Sequence, residues 1–333
     1  MLSFFVIIHI KGYNMKSIKL YRKDGTFLEK RKVNLDNLKE YNEVKIKEAE
    51  NYMNYLIDNE YVNNFELLDN LFSNNMNFDN LNTNYTHAIA CIEQSKRIKN
   101  KLDEMGLYSY LVTCKPDKFL SKHGDELLIE SHTILVHPCL YNKKISFVIF
   151  DPGFRLKNSV LIIDKENSCD KRFYDGIYKI EYKKDNDYPY EIYTNRRTDI
   201  NRNIYIKDIH WKFNLYYETI NIDSLYYYFI KIMYSYKIVS YSTKYENNPY
   251  VIYNVFKDLI IYSDGYNIKE IKIIDLKNMN YDEIKKLFSK CIRNIGYDID
   301  KFTEIIIKLS INYENFKNNI IDKDVKKDIL GIL

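Results

Sequence analysis

Residues 131–154, SHTILVHPCLYNKKISFVIFDPGF, decide the fold. Two apolar runs flank a short polar stretch, and this pattern predicts an antiparallel β-hairpin with its loop at about Leu140–Lys143. If the hairpin is symmetric about the Tyr141–Asn142 bond, His132 lies directly opposite Asp151. Directly paired side chains share one face of a sheet, with Cβ atoms about 4.5–5.5 Å apart. The hairpin therefore predicts an imidazole that a carboxylate orients and stabilises in its protonated form.

The other histidines are weaker candidates for this role. His137 has the opposite parity to His132 and pairs with Ser146 in the assumed register, so we interpret it as a surface or satisfied core histidine. His87 is expected to cap the following helix or to be exposed. The remaining histidines have no chemical neighbour that singles them out, namely His9, His123 and His210.

Cys91 lies near the start of a predicted helix that runs over about 87–105 and ends at Gly106, a suitable residue for a helix C-terminus. Its side chain shares one helix face with Ser95, Ile98, Leu102 and Met105. The unpaired N–H groups and the dipole of a helix start stabilise a thiolate and could also stabilise an oxyanion. Two small residues upstream leave room for another group beside the sulfur, Ala88 and Ala90. The alternative interpretation is a buried structural cysteine.

These residues together predict a catalytic triad in the chain order Cys91, His132, Asp151. Cys91 is the candidate nucleophile, and His132 is its general base and later the general acid. Asp151 orients His132 and stabilises its positive charge. A cysteine at a helix start combined with a cross-strand His–Asp pair is more specific than any of the three residues alone.

Charge and cysteine content exclude several classes of protein. Lys and Arg total 50 and Asp and Glu total 46, so the net charge of +4 gives no electrostatic case for a nucleic acid or an anionic membrane as partner. The five cysteines are widely spaced and include no C-x-x-C pair, which argues against a disulfide framework and a structural metal site. Free thiols favour a reducing compartment, so we expect a cytoplasmic protein. No apolar run reaches the roughly 18–20 residues that a membrane span needs.

The rest of the sequence predicts an α+β layout. The expected elements are a β-hairpin over 16–33, helical structure over 35–75, strands within 107–163 and 170–240, an uncertain insertion at 184–203, a helix near 223–234, strands that turn at Asp264-Gly265, and two helices within 281–333 that separate near 296–300. Residues 1–14 lack the features of a signal peptide and are either an upstream start or an accessory strand. We therefore expect three parts, an N-terminal helical part (1–106), a central antiparallel β domain (107–240) and a C-terminal α/β part (241–333).

The order and spacing of the three candidate residues resemble the arylamine N-acetyltransferase family, within the papain-like, transglutaminase-core superfamily. In that family a cysteine begins a helix, a histidine opens a strand roughly 40 residues later, and an aspartate closes the next strand in a D-x-G-F-like motif. The matching segments are Cys91-Ile92-Glu93, His132-Thr133-Ile134-Leu135-Val136 and Asp151-Pro152-Gly153-Phe154. The resemblance covers about residues 85–156, and Ala88-Ile89-Ala90 stands where the family usually has Arg-Gly-Gly. Residues 253–291 are similar to the family's late strand pair and short helix.

The resemblance implies a papain-like α+β fold and an acyltransferase without a permanently bound cofactor. Its reaction would move an acyl group from a thioester, with acetyl-CoA as co-substrate, to a small-molecule amine through an acyl-cysteine. Asp151-Pro152 also resembles the motif of transglutaminase-like cysteine proteins, so a peptidase or deamidase acting on a protein amide is the alternative enzyme. The third possibility is a binding or scaffold protein that keeps the fold without catalysis. The sequence does not determine the oligomeric state.

Overall fold

The computed structural model describes residues 17–21, 27–59, 62–63, 65–66, 68–69, 91–116, 132–173, 176–184, 187–199, 204–220, 222, 235–240, 248–254 and 257–320. The chain divides into two compact units. The first comprises Met1–Leu56 and Cys91–Leu225, and the second comprises Ile57–Ala90 and Tyr226–Gly331. The three-part division expected from the sequence, with limits at 106 and 240, stays a prediction.

The described strands are β1 (Ser17–Tyr21), β2 (Phe27–Lys32), β3 (Val62–Asn63), β4 (Tyr110–Pro116), β5 (His132–Tyr141), β6 (Lys144–Phe150), β7 (Val160–Ile163), β8 (Lys171–Phe173), β9 (Gly176–Tyr182), β10 (Tyr190–Asp199), β11 (Ile204–Phe213), β12 (Tyr217–Thr219), β13 (Ser235–Val239), β14 (Tyr250–Asn254), β15 (Leu259–Ser263) and β16 (Ile268–Lys272). The described helices are α1 (Glu43–Asn59), α2 (Cys91–Glu104), α3 (Ile273–Leu276), α4 (Tyr281–Ile295) and α5 (Ile299–Ile320). A short 3-10 turn, Pro152–Phe154, follows β6.

An eight-stranded antiparallel sheet dominates the first unit, with the strand order β7-β6-β5-β4-β11-β10-β9-β8. Alternate residues of these strands point to one side and form a buried apolar cluster, because side chains alternate between the faces of a sheet. On the central hairpin this cluster contains Ile134, Val136, Phe147 and Ile149. His132 and Asp151 have the parity of these residues, so they continue the same face at its end.

The hairpin of β5 and β6 forms as predicted, but its register differs from the prediction. Tyr141 pairs with Lys144, so the two-residue turn is Asn142-Lys143 and not one centred on the Tyr141–Asn142 bond. Both turn residues have positive φ angles of 51° and 63°, as a type I′ turn requires. The turn lies here because Asn tolerates this left-handed conformation. A turn centred on the Tyr141–Asn142 bond would have imposed the same conformation on Tyr141, which adopts it less readily.

The corrected register moves each pairing by two residues. The pairs end at Leu135 and Phe150, and their continuation places Asp151 opposite Ile134, diagonal to His132 and not directly opposite it. A shift of two residues preserves the face of every side chain, and diagonal neighbours are still within reach of long side chains. The predicted pairing of His137 with Ser146 is wrong for the same reason, since His137 pairs with Val148.

Helix α2 begins at Cys91 within the described residues, and the predicted start near His87 lies outside them. The predicted end is confirmed: Gly106 has φ +69°, and the N–H of Leu107 donates to the carbonyl of Leu102 (2.9 Å), which closes the last turn. Lys45 on α1 donates to the carbonyl of Met105 at 2.5 Å, so a cation lies at the negative end of the helix dipole. Helix α2 packs against β4, β5 and the 3-10 turn.

The loop after Asp151 is attached to helix α1 by a buried carboxylate. Glu50 Oε1 accepts hydrogen bonds from the backbone N–H and the hydroxyl of Ser159, both at 2.8 Å. A buried carboxylate with two such donors is well satisfied. This attachment holds the far end of the segment that starts at Asp151 and contains the 3-10 turn.

The second unit contains a five-stranded antiparallel sheet in the order β16-β15-β14-β13-β3, together with α3, α4 and α5. The predicted turn at Asp264-Gly265 joins β15 and β16. The two predicted C-terminal helices are confirmed within the described residues. Asn280 and Glu283 form a reciprocal capping box at the start of α4, and Gly296 ends it with φ 84°.

The remaining sequence predictions have different outcomes. The helical structure predicted over 35–75 is confirmed in part: α1 spans Glu43–Asn59 and residues 65–66 and 68–69 are helical, but Val62–Asn63 form a strand. The expected insertion at 184–203 is largely the regular strand β10, which pairs with both β9 and β11. The helix near 223–234 and residues 1–14 lie outside the described residues.

Candidate active site

The structure brings His132 and Asp151 into direct contact. His132 Nε2 lies 3.0 Å from both carboxylate oxygens of Asp151. The residue His132 is 6% exposed, and Asp151 is fully buried. A hydrogen bond of this kind to a carboxylate holds one tautomer of the imidazole and favours its cationic form. The sequence analysis predicted this contact, although by direct pairing and not by the diagonal that the structure shows.

Two further donors hold the Asp151 carboxylate. The backbone N–H of Phe154 donates to Oδ1 at 3.2 Å, and the hydroxyl of Tyr178 donates to Oδ2 at 3.0 Å. Burial, and then the charge of Asp151, raise the pKa of Tyr178 well above its ordinary value, so the phenol stays protonated and remains a donor. The buried carboxylate is therefore paired and hydrogen-bonded on both oxygens, which offsets the cost of its desolvation.

Two aromatic rings contact the imidazole of His132. The Phe154 ring lies 5.0 Å away between centroids and is nearly perpendicular, at 76°. The Trp211 ring lies 5.3 Å away and is tilted by only 36°. Phe154 belongs to the 3-10 turn that follows Asp151, whereas Trp211 comes from β11. The imidazole is thus buried beside two aromatic rings as well as the Asp151 carboxylate.

Helix α2, which begins at Cys91, packs against the strand that His132 opens. Ser95, one helical turn after Cys91, has its hydroxyl oxygen 3.5 Å from the carbonyl oxygen of Thr133, the residue after His132. The structure describes the backbone of Cys91 and not its side chain. The role of Cys91 as nucleophile therefore stays a prediction.

A second cysteine lies beside His132. Cys114 on β4 is the direct cross-strand partner of His132, is fully buried, and shares its face of the sheet. The other described cysteines are weaker candidates for the nucleophile. Cys169 is exposed, and burial raises the pKa of the Cys139 and Cys291 thiols to about 12. A thiol with so high a pKa is almost entirely protonated near neutral pH and is a poor nucleophile. Cys114 is therefore the rival that a test of Cys91 must include.

The sequence analysis missed three neighbours of the His132–Asp151 pair, namely Cys114, Tyr178 and Trp211. Each lies on a strand whose place in the sheet is set by non-local pairing, and no local motif marks it. The one signal within the sequence was that Trp211 is the only tryptophan of the chain. Among the other histidines, His87, His9 and His123 lie outside the described residues, and His210 lies on β11.

His137 is a satisfied core histidine, one of the two interpretations that the sequence left open. It is 3% exposed, and its Nδ1 lies 2.6 Å from the carbonyl oxygen of Tyr108, to which the ring N–H donates. Burial lowers the pKa of His137 below 6.5, and the hydrogen bond to Tyr108 opposes that shift in part.

His137 is expected to make the fold less stable in mild acid. Between its lowered pKa and 6.5 the unfolded chain binds more protons than the folded one, so stability falls as the pH drops through this window. In His137→Gln the free energy of unfolding should depend less steeply on pH than in the wild type between about pH 5 and 8, measured by urea denaturation. Equal slopes for the two proteins would contradict this assignment.

The described residues contain no group of three or more His, Cys, Asp or Glu side chains that could hold a metal ion. No helix in the described ranges is both long enough and apolar enough to cross a membrane.

The described strands and helices form the papain-like α+β fold that the sequence predicted. Two arylamine N-acetyltransferases are among the solved structures that share this fold. The arylamine N-acetyltransferase from Mycobacterium abscessus has a TM-score of 0.50 at 11% identity, over 80% of this chain and 88% of that chain. The M. smegmatis arylamine N-acetyl transferase has a TM-score of 0.50 at 10% identity, over 84% of this chain and 94% of that chain.

The chain therefore has the arylamine N-acetyltransferase fold. At such low identity the likeness shows the fold alone, because one fold supports many activities. No protein-family model matches the sequence, and no curated protein matches it.

Proposed function

We propose that the chain is an acyltransferase that moves an acyl group from a thioester such as acetyl-CoA to an amine, with Cys91, His132 and Asp151 as its catalytic triad. One observation carries the proposal: a buried His132–Asp151 pair lies at the end of the strand against which the helix of Cys91 packs. The arylamine N-acetyltransferase fold supports the choice of reaction. The proposal places the enzyme in the cytoplasm, where free thiols persist.

The roles of the two described residues follow from their hydrogen bonds. His132 Nε2 is engaged by Asp151, so proton exchange with the thiol falls to Nδ1, the other ring nitrogen. His132 takes the proton of Cys91, and the resulting imidazolium is stabilised by the carboxylate of Asp151. The Tyr178 hydroxyl and the Phe154 N–H hold that carboxylate in place and leave it as an acceptor.

The reaction then proceeds in two half-reactions. The Cys91 thiolate adds to the thioester carbonyl, and backbone N–H groups at the start of α2 stabilise the oxyanion. The bond from the carbonyl carbon to the donor sulfur breaks, and His132 returns its proton to the leaving thiolate. An amine next adds to the acyl-cysteine, His132 takes the amine proton, and the Cys91 thiolate leaves. The proton of His132 then returns to Cys91.

The test is the intact mass of the protein after incubation with acetyl-CoA and no acceptor. We expect an adduct of about 42 Da, the mass of one acetyl group, that disappears when an arylamine is added. Cys91→Ala should abolish the adduct, and Cys169→Ala, which removes an exposed cysteine, should keep it.

Two outcomes would contradict the proposal. Loss of the adduct in Cys114→Ala together with its retention in Cys91→Ala would move the nucleophile to Cys114. Release of ammonia or of a new peptide end from a protein substrate, without any acetyl adduct, would favour the deamidase or peptidase instead.

A further inference from the structure

Trp211 on β11 lies against the candidate catalytic histidine. Strand β11 pairs with β4 at this point, where Trp211 is opposite Pro116. The indole is partly buried, and its ring centroid is 5.3 Å from that of His132 at a tilt of 36°. From the sheet order alone the contact is unexpected, because β11 and β5 are separated by β4.

We propose that Trp211 is a positioning residue that stabilises the protonated form of His132 through an imidazolium–indole contact. The face of an aromatic ring carries negative charge density, and a cation within about 6 Å of its centroid is attracted to it. Indole is the strongest of the protein aromatics in this respect. The consequence for acyl transfer rests on the proposed function, whereas the contact itself does not.

The orientation of its ring distinguishes Trp211 from the other aromatic neighbour. Phe154 meets the imidazole at 76°, an edge contact of the kind that aromatic pairs adopt without any charge. The Trp211 ring is tilted by 36° from the imidazole plane, so its arrangement is closer to stacking than that of the Phe154 ring. Of the two rings, we therefore assign the contact with the imidazolium to the indole, which is also the stronger partner for a cation.

The other titratable groups on the elements around His132 do not replace this contact. They are Asp151 after β6, Tyr178 on β9, Cys114 on β4 and Cys91 at the start of α2. Charged side chains on the same elements interact elsewhere: Glu93 with Arg97, Lys212 with Glu191, and Lys115 with the ring of Tyr188. Asp151 stabilises the imidazolium at one edge of its ring, and Trp211 adds a contact to its face.

In the proposed reaction this contact acts only when His132 is charged. The imidazolium exists after His132 has taken the Cys91 proton and again after it has taken the amine proton. The indole stabilises the imidazolium more than the neutral imidazole. It therefore favours the two reaction states in which His132 is protonated over the states in which His132 is neutral.

The experiment is an NMR titration of the ring protons of His132, assigned by comparison with His132→Asn. In Trp211→Leu the midpoint should fall by about 0.5–1 pH unit, since a partly buried cation–π contact contributes about 1 kcal/mol and 1.36 kcal/mol corresponds to one unit. Trp211→Phe keeps an aromatic face and should fall by less. Tyr55→Leu, which removes an exposed aromatic residue on α1, should leave the midpoint unchanged.

The titration needs no substrate, so it fails or succeeds independently of the acetyl adduct. An unchanged midpoint in folded Trp211→Leu would overturn the proposal even if Cys91 is acetylated. If Trp211→Leu does not fold, Trp211→Phe decides, and a midpoint equal to the wild type would overturn it as well. A lowered midpoint together with no acetyl adduct would support the contact and reject the acyltransferase.

Discussion

Replacing Asp151 by Asn is expected to lower the rate of acyl transfer by about 10⁴-fold, the loss found when the carboxylate of a catalytic triad becomes an amide. Asn has the same size, so the hydrogen bond from Phe154 and the packing of the turn can persist. The amide has lost the charge that stabilises the imidazolium, and its NH₂ group competes as a donor for His132 Nε2. The wrong tautomer of His132 then presents a proton, and not a lone pair, to the nucleophile.

The measurement is the single-turnover rate of acetylation by acetyl-CoA, followed by intact mass. Asp164→Asn is a matched control, because Asp164 is also a carboxylate that accepts hydrogen bonds from tyrosine hydroxyls. Its donors are Tyr190 (2.8 Å) and Tyr216 (2.5 Å), and His132 is not one of them. We expect Asp164→Asn to acetylate within a few-fold of the wild type. Similar rates for Asp151→Asn and Asp164→Asn would contradict a catalytic role for the pair.

Phe147→Ala is expected to lower the free energy of unfolding by about 3–5 kcal/mol, the range for removing a large aromatic side chain from a core. Phe147 on β6 is fully buried in the apolar cluster of the eight-stranded sheet and meets the ring of Tyr216 edge-on. Alanine leaves a cavity on the face that continues to Asp151, and strands on both sides limit its collapse.

Ile145→Ala is the control, since Ile145 lies on the same strand with the same parity but is 36% exposed. Ile145→Ala should lower the free energy of unfolding by less, under about 1.5 kcal/mol, because much of the Ile145 side chain already contacts water. Urea denaturation monitored by circular dichroism compares the two variants. Equal losses would mean that the apolar cluster does not carry the stability of this sheet.

The β5–β6 hairpin shows which structural features could be predicted from the sequence. The alternation of apolar residues predicted both strands and the face of each side chain, because it depends on the two-residue period of a strand. The register depends on which two residues adopt left-handed conformations, and Asn142-Lys143 do so here. The contact between His132 and Asp151 was predicted despite the wrong register, because a shift of two residues keeps both side chains on one face.

The surroundings of this pair could not be predicted in the same way. Tyr178, Trp211 and Cys114 reach it from β9, β11 and β4. The order of strands in the sheet depends on how apolar faces far apart in the sequence are buried together. Local sequence patterns do not predict this order. The same reason explains why strand β10 was mistaken for an insertion.

By itself, the sequence determined the α+β class, the hairpin with its faces, the end of helix α2 at Gly106, and three candidate residues in their chain order. These features depend on periodicity and on residues with special backbone preferences, which act locally. Only the tertiary structure decided the diagonal contact of His132 with Asp151, the donors that hold Asp151, and the indole beside His132. Each of these contacts arises where strands that are distant in the chain become neighbours in the sheet. Buried polar groups need hydrogen-bond partners, and here those partners lie on strands that only the tertiary fold brings together.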